Sequence, residues 1–318
     1  MEAGFKSKVN SKLIGAIALS ALLPVGSFAA IGAATVLDNN TGGWVDKRPV
    51  LTPASIEFGV YDPFGDFSAD EGIGIEHVFV PWEDADLASL AGADEYARVR
   101  GRSLLLTVEP WSWLNPLTSK ELLATVATPR FDTHVASICG AINDLASPVT
   151  IRWAHEMEST NGRFPWAGWK PEDYIAAYQQ FVQTCREHAP NVDFMWSPKG
   201  LDGLAAYYPG DDVVDKIGLS VFGLQDYDMD YFGRDQTFAE VLRPKYDLVQ
   251  DFGKPIYVAE LGYEGDIDYV KRWAASFAVR DTSFPQLQGV IYYNHAEIYP
   301  WPEPYGLPNW RVTGADSE

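Results

Sequence analysis

Eight short runs rich in β-branched and aromatic residues, alternating with stretches of helical spacing, constrain this chain more than any other feature. The runs fall at 55–61, 76–80, 103–108, 149–154, 192–196, 216–221, 255–259 and 289–293. Turn-forming residues bound them, the pattern of strands buried in a parallel sheet. Over 170–188, apolar residues recur at Tyr174, Ile175, Tyr178, Phe181, Val182 and Cys185, and Pro171 suits the first turn. Over 130–146 the stripe is Phe131, Val135, Ile138, Cys139, Ile142 and Leu145. Repeated strand–helix alternation predicts an α/β fold, a single (β/α)8 barrel of the TIM type over 54–318. A doubly wound open sheet is the competing architecture. The first strand is followed by no glycine-rich phosphate loop, which counts against it. No linker, low-complexity tract or internal repeat interrupts the chain.

The N-terminus has a different character. Lys6, Lys8 and Lys12 precede an apolar run from Leu13 to Leu23, closed by Pro24, with small residues at Ser27 and Ala29. This is the pattern of a secretory signal over 1–29, too short to span a bilayer comfortably. Residues 30–53 are expected to form an irregular extension. Export to the periplasm or the medium is the expectation, with no membrane span in the mature form. The two cysteines, Cys139 and Cys185, both lie on apolar helical stripes. Export permits a disulfide, and burial as separate thiols is equally consistent with the pattern.

A formal charge of −20 argues against the phosphate-backbone binding that clustered Lys and Arg would support, so no nucleic-acid partner is expected. The aromatic content, 11 Trp, 16 Tyr and 16 Phe, exceeds what a core alone requires. In a parallel barrel the functional residues lie at the C-terminal ends of the strands. Trp82, Trp111, Trp113, Trp166, Trp169, Trp196 and Trp301 all fall on that predicted rim. Such a concentration predicts a cleft with aromatic platforms for the apolar faces of sugar rings.

Alternation along the fourth strand places Arg152, Ala154 and Glu156 on one face. Along the seventh it places Ile256, Val258 and Glu260 together, apolar below and carboxylate on top. Two carboxylates across a barrel mouth are what glycoside cleavage requires, one attacking the anomeric carbon and the other protonating the leaving oxygen. Close approach is expected to raise the pKa of one by the charge of the other, keeping a proton available. Glu109 is expected to be a structural acid, and Asp226 and Asp228 solvated loop acids.

The wording around these residues sharpens the expectation. I-R-W-A-H-E-M-E at 151–158 with N-G-R-F-P-W-A-G at 161–168 resembles the acid/base strand of glycoside hydrolase family 26. P-E-D-Y-I-A-A-Y at 171–178, N-V-D-F-M-W-S-P at 191–198, Y-V-A-E-L-G at 257–262 and F-G-V-Y-D-P at 58–63 are similar to further parts of that family's barrel. The resemblance covers roughly residues 54–310. It implies a retaining, cofactor-free and metal-free barrel enzyme, with Glu156 as acid/base and Glu260 as nucleophile. His155 would line the substrate site and Arg152 would support the carboxylates. Trp111, Trp113, Trp166, Trp196, Phe222, Tyr293 and Trp301 are the expected substrate-binding residues.

Three departures from the family pattern stand out. A longer E-S-T-N-G-R-F-P-W follows H-E-M, with Arg163-Phe164 where Trp-Tyr is common. Strand six ends L-S-V-F-G, putting Phe222 where a tyrosine usually bonds the nucleophile. Tyr293 replaces a Trp platform on strand eight. Most members of the family are endo-β-1,4-mannanases, which makes β-1,4-mannan the expected substrate. Mixed-linkage β-1,3-1,4-glucan, β-1,3-xylan and an exopolysaccharide are alternatives, and a non-catalytic glycan-binding barrel is the alternative of another class. The expected assembly is a monomer whose partner is the polysaccharide.

Overall fold

The computed structural model describes residues 45–313 apart from 84 and 113. The expected signal, most of the N-terminal extension and Trp113 therefore lie outside the described residues. Eight strands, β1 (Glu57–Tyr61), β2 (Ile75–Pro81), β3 (Ser103–Glu109), β4 (Val149–Trp153), β5 (Asp193–Trp196), β6 (Lys216–Leu224), β7 (Ile256–Glu264) and β8 (Leu287–Tyr293), close into one barrel in sequence order. Every neighbouring pair is parallel, and β1 pairs with β8 to complete the ring. The predicted barrel is thus the observed one. Among the described residues, no helix is long and apolar enough to cross a membrane.

Helices α1 (Leu90–Arg98), α2 (Ser119–Val126), α3 (Pro129–Asn143), α4 (Pro171–His188), α5 (Gln225–Phe232), α6 (Phe238–Val249) and α7 (Ile267–Ala275) surround the barrel. Their ends are legible in the sequence. Thr118 with Glu121 and Thr237 with Glu240 form capping boxes at α2 and α6. Helix α4 starts on Pro171 with Glu172 and Asp173 in its first turn and ends with Arg186 and His188, matching the helix dipole at both ends. The α3 and α4 stripes face each other, and there Cys139 and Cys185 form a disulfide with Cα atoms 5.3 Å apart. The link closes a sequence separation of 46 residues, which in the chain-entropy model stabilises the fold by about 4 kcal/mol.

Two apolar layers result. The larger fills the space between strands and helices; the smaller, Ile75, Leu105, Met195, Ala259 and Ile291 with Tyr257, fills the barrel axis. Strand parity follows: Leu104, Leu106 and Val108 of β3 belong to the outer layer, while Leu105 faces the axis. Above the apolar axis layer sits a polar one. His77 Nε2 lies 2.7 Å from Thr107 Oγ1, and Arg152 reaches the same hydroxyl.

Two sequence expectations about parity are corrected. Ile256 and Val258 pack in the outer layer, whereas Tyr257 and Ala259 face the axis. The register slips at that point, with Val258 opposite Leu219 but Glu260 opposite Ser220. This one-residue bulge reverses the alternation and turns Glu260 inward. On β4 the regular strand stops at Trp153, and Ala154 and Glu156 take positive φ values of 45° and 55°. The backbone coils there instead of continuing the alternation. Such conformations cost roughly 1–3 kcal/mol each and concentrate at functional sites.

Candidate active site

Glu260 and Glu156 are both buried at the C-terminal mouth of the barrel, as the strand ends predicted. Arg152, fully buried beneath them, donates from Nη1 to Glu260 Oε1 at 2.6 Å and from Nε to Ser197 Oγ at 2.8 Å. The guanidinium thus bonds Glu260, one of the two carboxylates it was expected to support. His155 Nε2 lies 3.9 Å from the same Glu260 oxygen. Glu156 is held from the other side. Ser220 donates its hydroxyl to Glu156 Oε1 at 2.7 Å, the Glu156 amide donates to the Ser197 carbonyl at 2.8 Å, and Lys199 Nζ stands 3.8 Å from Oε2. Ser220 is also the register partner of Glu260 across β6 and β7, so one serine stands between the two acids.

Lys245 of α6 braces this arrangement from outside the barrel. Its ammonium donates to the carbonyls of Lys199 and Ser220 at 3.0 and 2.6 Å, the two residues whose side chains face Glu156. Glu109 at the end of β3 is a third buried acid at the mouth, accepting from Trp111 Nε1 at 3.1 Å. Arg163 pairs with Glu297 at 3.7 Å, and Glu297 in turn accepts from Trp310 Nε1.

The electrostatics differ from the expectation. Burial pushes Glu156 up, but Lys199, the Ser220 hydroxyl, Arg163 and Arg152 outweigh it and hold the carboxyl below its ordinary range. Glu109 rises instead, pushed up to about 7 by burial and then by the charge of Glu260, and burial raises Glu297 as well. Glu109 is neutral below that pH and can donate a hydrogen bond. His155 is kept well below the usual imidazole range by burial and the neighbouring Arg152, so it is uncharged at neutral pH. Desolvation brings Lys245 down to about 8, against the pull of Glu156.

Part of this barrel is similar in sequence to known proteins. The family model for glycosyl hydrolase family 26 matches residues 117–271, a span that contains both acids and most of their partners. Over that span the chain is similar to family 26. A β-1,3-xylanase from a Vibrio species is 27% identical over 148 residues, 44% of this chain and 31% of that protein. A β-1,3-xylanase from an Alcaligenes species is 30% identical over 115 residues, 34% of this chain and 24% of that one. The matched part spans about a third or less of each of these relatives. In fold, the barrel is similar to the family 26 β-mannanase of Bacteroides ovatus, with a TM-score of 0.53 and 17% identity over 76% of this chain and 81% of that one.

Within this barrel, the expected platform residues divide. Phe222 and Trp301 are half-buried at the mouth, 6.4 Å apart between ring centroids, and Tyr293 stacks on Tyr61 at 5.2 Å. Trp111 is half-buried against Phe164 and Trp166. Two expectations are corrected. Trp166 is fully buried, donating Nε1 to the His155 carbonyl at 2.7 Å, so it shapes the β4 loop and offers no face to a sugar. Trp196 is also fully buried, because parity on β5 turns Met195 to the axis and Trp196 outward against Tyr208 and Phe252. Trp82 and Trp169 are core residues as well. The rim is therefore less tryptophan-rich than the sequence suggested. Ser220, Lys199 and Lys245 escaped the sequence reading. Lys199 stood next to the W-S-P element and could have been found there, but a serine inside a strand and a lysine on a helix carry no local signal.

Proposed function

We propose that this chain is an exported, monomeric endo-acting β-glycanase that cleaves with retention of configuration. The observation that carries the proposal is the pair of buried carboxylates around Ser220, one fixed by Arg152 and the other by Ser220 and Lys199. Arg152 occupies Glu260 Oε1, leaving Oε2 to attack the anomeric carbon. As the glycosidic C–O bond breaks, Glu156 gives its proton to the leaving oxygen. Water then attacks the glycosyl-enzyme, Glu156 takes up a proton from it, and the Glu260 carboxylate is released. The uncharged His155 beside Glu260 is suited to bonding a sugar hydroxyl. The disulfide supports export, since such links persist in oxidising compartments.

For the substrate, the sequence relatives named as β-1,3-xylanases support β-1,3-xylan. β-1,4-Mannan, the commonest activity of the family, is the second reading, and the fold likeness to mannanases does not discriminate. The test is product release from β-1,3-xylan, galactomannan, mixed-linkage β-glucan and cellulose, with Glu260→Ala as the blank. Oligosaccharides from β-1,3-xylan with the wild type alone are the expected result. Release from galactomannan instead would replace the xylan assignment, and release from none would remove all four polymers as substrates, leaving an exopolysaccharide or the non-catalytic binding barrel.

A pH prediction follows from Lys199. Glu156 must carry a proton to act as the acid, and the ammonium of Lys199 favours its loss. The alkaline limb of kcat/KM reports the acid of the free enzyme. Lys199→Met should therefore move that limb to higher pH, because the Glu156 carboxylate loses a cation that stabilises it. A limb that stays in place would show that another group sets it.

A further inference from the structure

Helix α5 is built inside out. Its one buried residue is Asp228, which accepts from Tyr269 Oη at 2.7 Å and from the Gln236 amide at 3.0 Å. The acid expected to be a solvated loop residue thus anchors the helix by hydrogen bonds. The helix's apolar side chains point outward, with Tyr231 63% and Phe232 57% exposed. An amphipathic helix normally buries that stripe. Tyr227 and Tyr231, four residues apart on one face, stack at 4.3 Å with planes 22° apart. Tyr305, from the loop after β8, packs on Tyr227 at 5.4 Å and donates its hydroxyl to Asp230 at 2.8 Å, tying loop to helix.

These rings are continuous with the catalytic mouth. Phe222 sits opposite Gly262, two residues beyond Glu260 on β7, about 7 Å further along the strand. From Phe222 the ring contacts run to Trp301 at 6.4 Å and on to Tyr227 at 5.8 Å. Tyr293, Phe222, Trp301, Tyr227 and Tyr305 belong to one apolar cluster. An exposed aromatic patch that begins at a cleft and leads away from it is shaped for a ligand extending from that cleft.

We propose that Tyr227 and Tyr231, with Trp301 and Tyr305, form a distal glycan-binding platform, outside the catalytic centre, for pyranose units of the same strand that Glu156 and Glu260 engage. The proposal rests on the reading of the chain as a β-glycanase. The ring faces supply stacking surface to the apolar faces of the sugars, and Asp230 and the Tyr305 hydroxyl stand beside them to bond sugar hydroxyls. The platform lengthens the strand held without touching the reacting bond, so it contributes to binding and not to the chemical step.

The test uses the full chain with Glu260→Ala, titrated calorimetrically with the trisaccharide and the hexasaccharide of β-1,3-linked xylose and of β-1,4-linked mannose. Hexasaccharide affinity in this parent should exceed trisaccharide affinity. Adding Tyr227→Ala and Tyr231→Ala should remove about tenfold of that excess, leaving trisaccharide affinity unchanged. The corresponding pair of Phe substitutions, which keep the rings, should retain it. A parent with no preference for the longer chain, or a preference that survives the alanine pair, overturns the platform. The hydrolase reading is judged separately, by products from the wild type. Ring-dependent hexasaccharide binding without cleavage would keep the platform and remove the hydrolase, and cleavage with ring-independent binding would do the reverse.

Discussion

Glu260→Ala is expected to lower kcat on the polysaccharide that the wild type cuts by on the order of 10⁴-fold or more, about 5 kcal/mol of barrier. The size follows from the geometry. Arg152 fixes one carboxylate oxygen, and the bulge in β7 turns the other toward the mouth, so truncation removes the attacking atom itself. Glu156→Ala should fail differently. On polysaccharide the loss is comparable, because a sugar leaving group needs the proton. On an aryl glycoside with a good leaving group, formation of the glycosyl-enzyme no longer needs that proton, and azide can replace the activated water in the second step. Accelerated turnover of Glu156→Ala by azide, giving a glycosyl azide of retained configuration, is the expected pattern, whereas any azide product of Glu260→Ala should be inverted, formed by a single displacement of the aryl group in the space the carboxylate leaves. Should Glu260→Ala keep more than about a tenth of wild-type turnover, the nucleophile lies elsewhere.

The eight strands were legible because strands of a parallel barrel are buried on both faces. They read as near-continuous apolar runs, and the turn residues between them are hard to mistake. The two acids were legible because a carboxylate at the end of such a run stands at the barrel mouth whatever the loops do. Their exact presentation was not. A single extra residue at Ala259 reverses the parity of β7, and two left-handed residues replace the last turn of alternation on β4. Neither leaves a mark in period-two patterning, since the residues involved are not glycine. The tryptophans misled for another reason. Trp serves equally as a core filler and as a sugar platform, and position at a strand end does not choose between them. At Trp196 the parity of a four-residue strand chose the core.

The same ambiguity explains why the aromatic surface of α5 went unrecognised. Its sequence, Q-D-Y-D-M-D-Y-F, alternates acids with apolar residues and shows no clear face. Only the burial of Asp228 against Tyr269 reveals which side turns inward, and both partners come from elsewhere in the chain. The polar braces around Glu156 belong to the same class. Lys245 reaches Ser220 and Lys199 from a helix, and its meaning depends on where two carbonyls end up.

Arg152→Met is expected to destabilise the fold by about 3–5 kcal/mol, the usual result of leaving one member of a buried pair without its partner. Arg152 is fully inaccessible and Glu260 nearly so, and the neighbours offer no substitute. His155 is held uncharged by its burial, and Lys199 faces the other acid. The methionine would also release Ser197, which carries the carbonyl that accepts from Glu156, so loss of the arginine reaches both acids. If the penalty comes from the uncompensated charge of Glu260, then Arg152→Met combined with Glu260→Gln should recover most of it, though no activity. Activity of the single variant should fall, but by less than in Glu260→Ala, because the attacking carboxylate is still present. Denaturant unfolding of the wild type, both single variants and the double variant closes the cycle. A double variant as unstable as Arg152→Met alone would mean that the arginine acts by filling space and holding Ser197, and that its charge matters little to the fold.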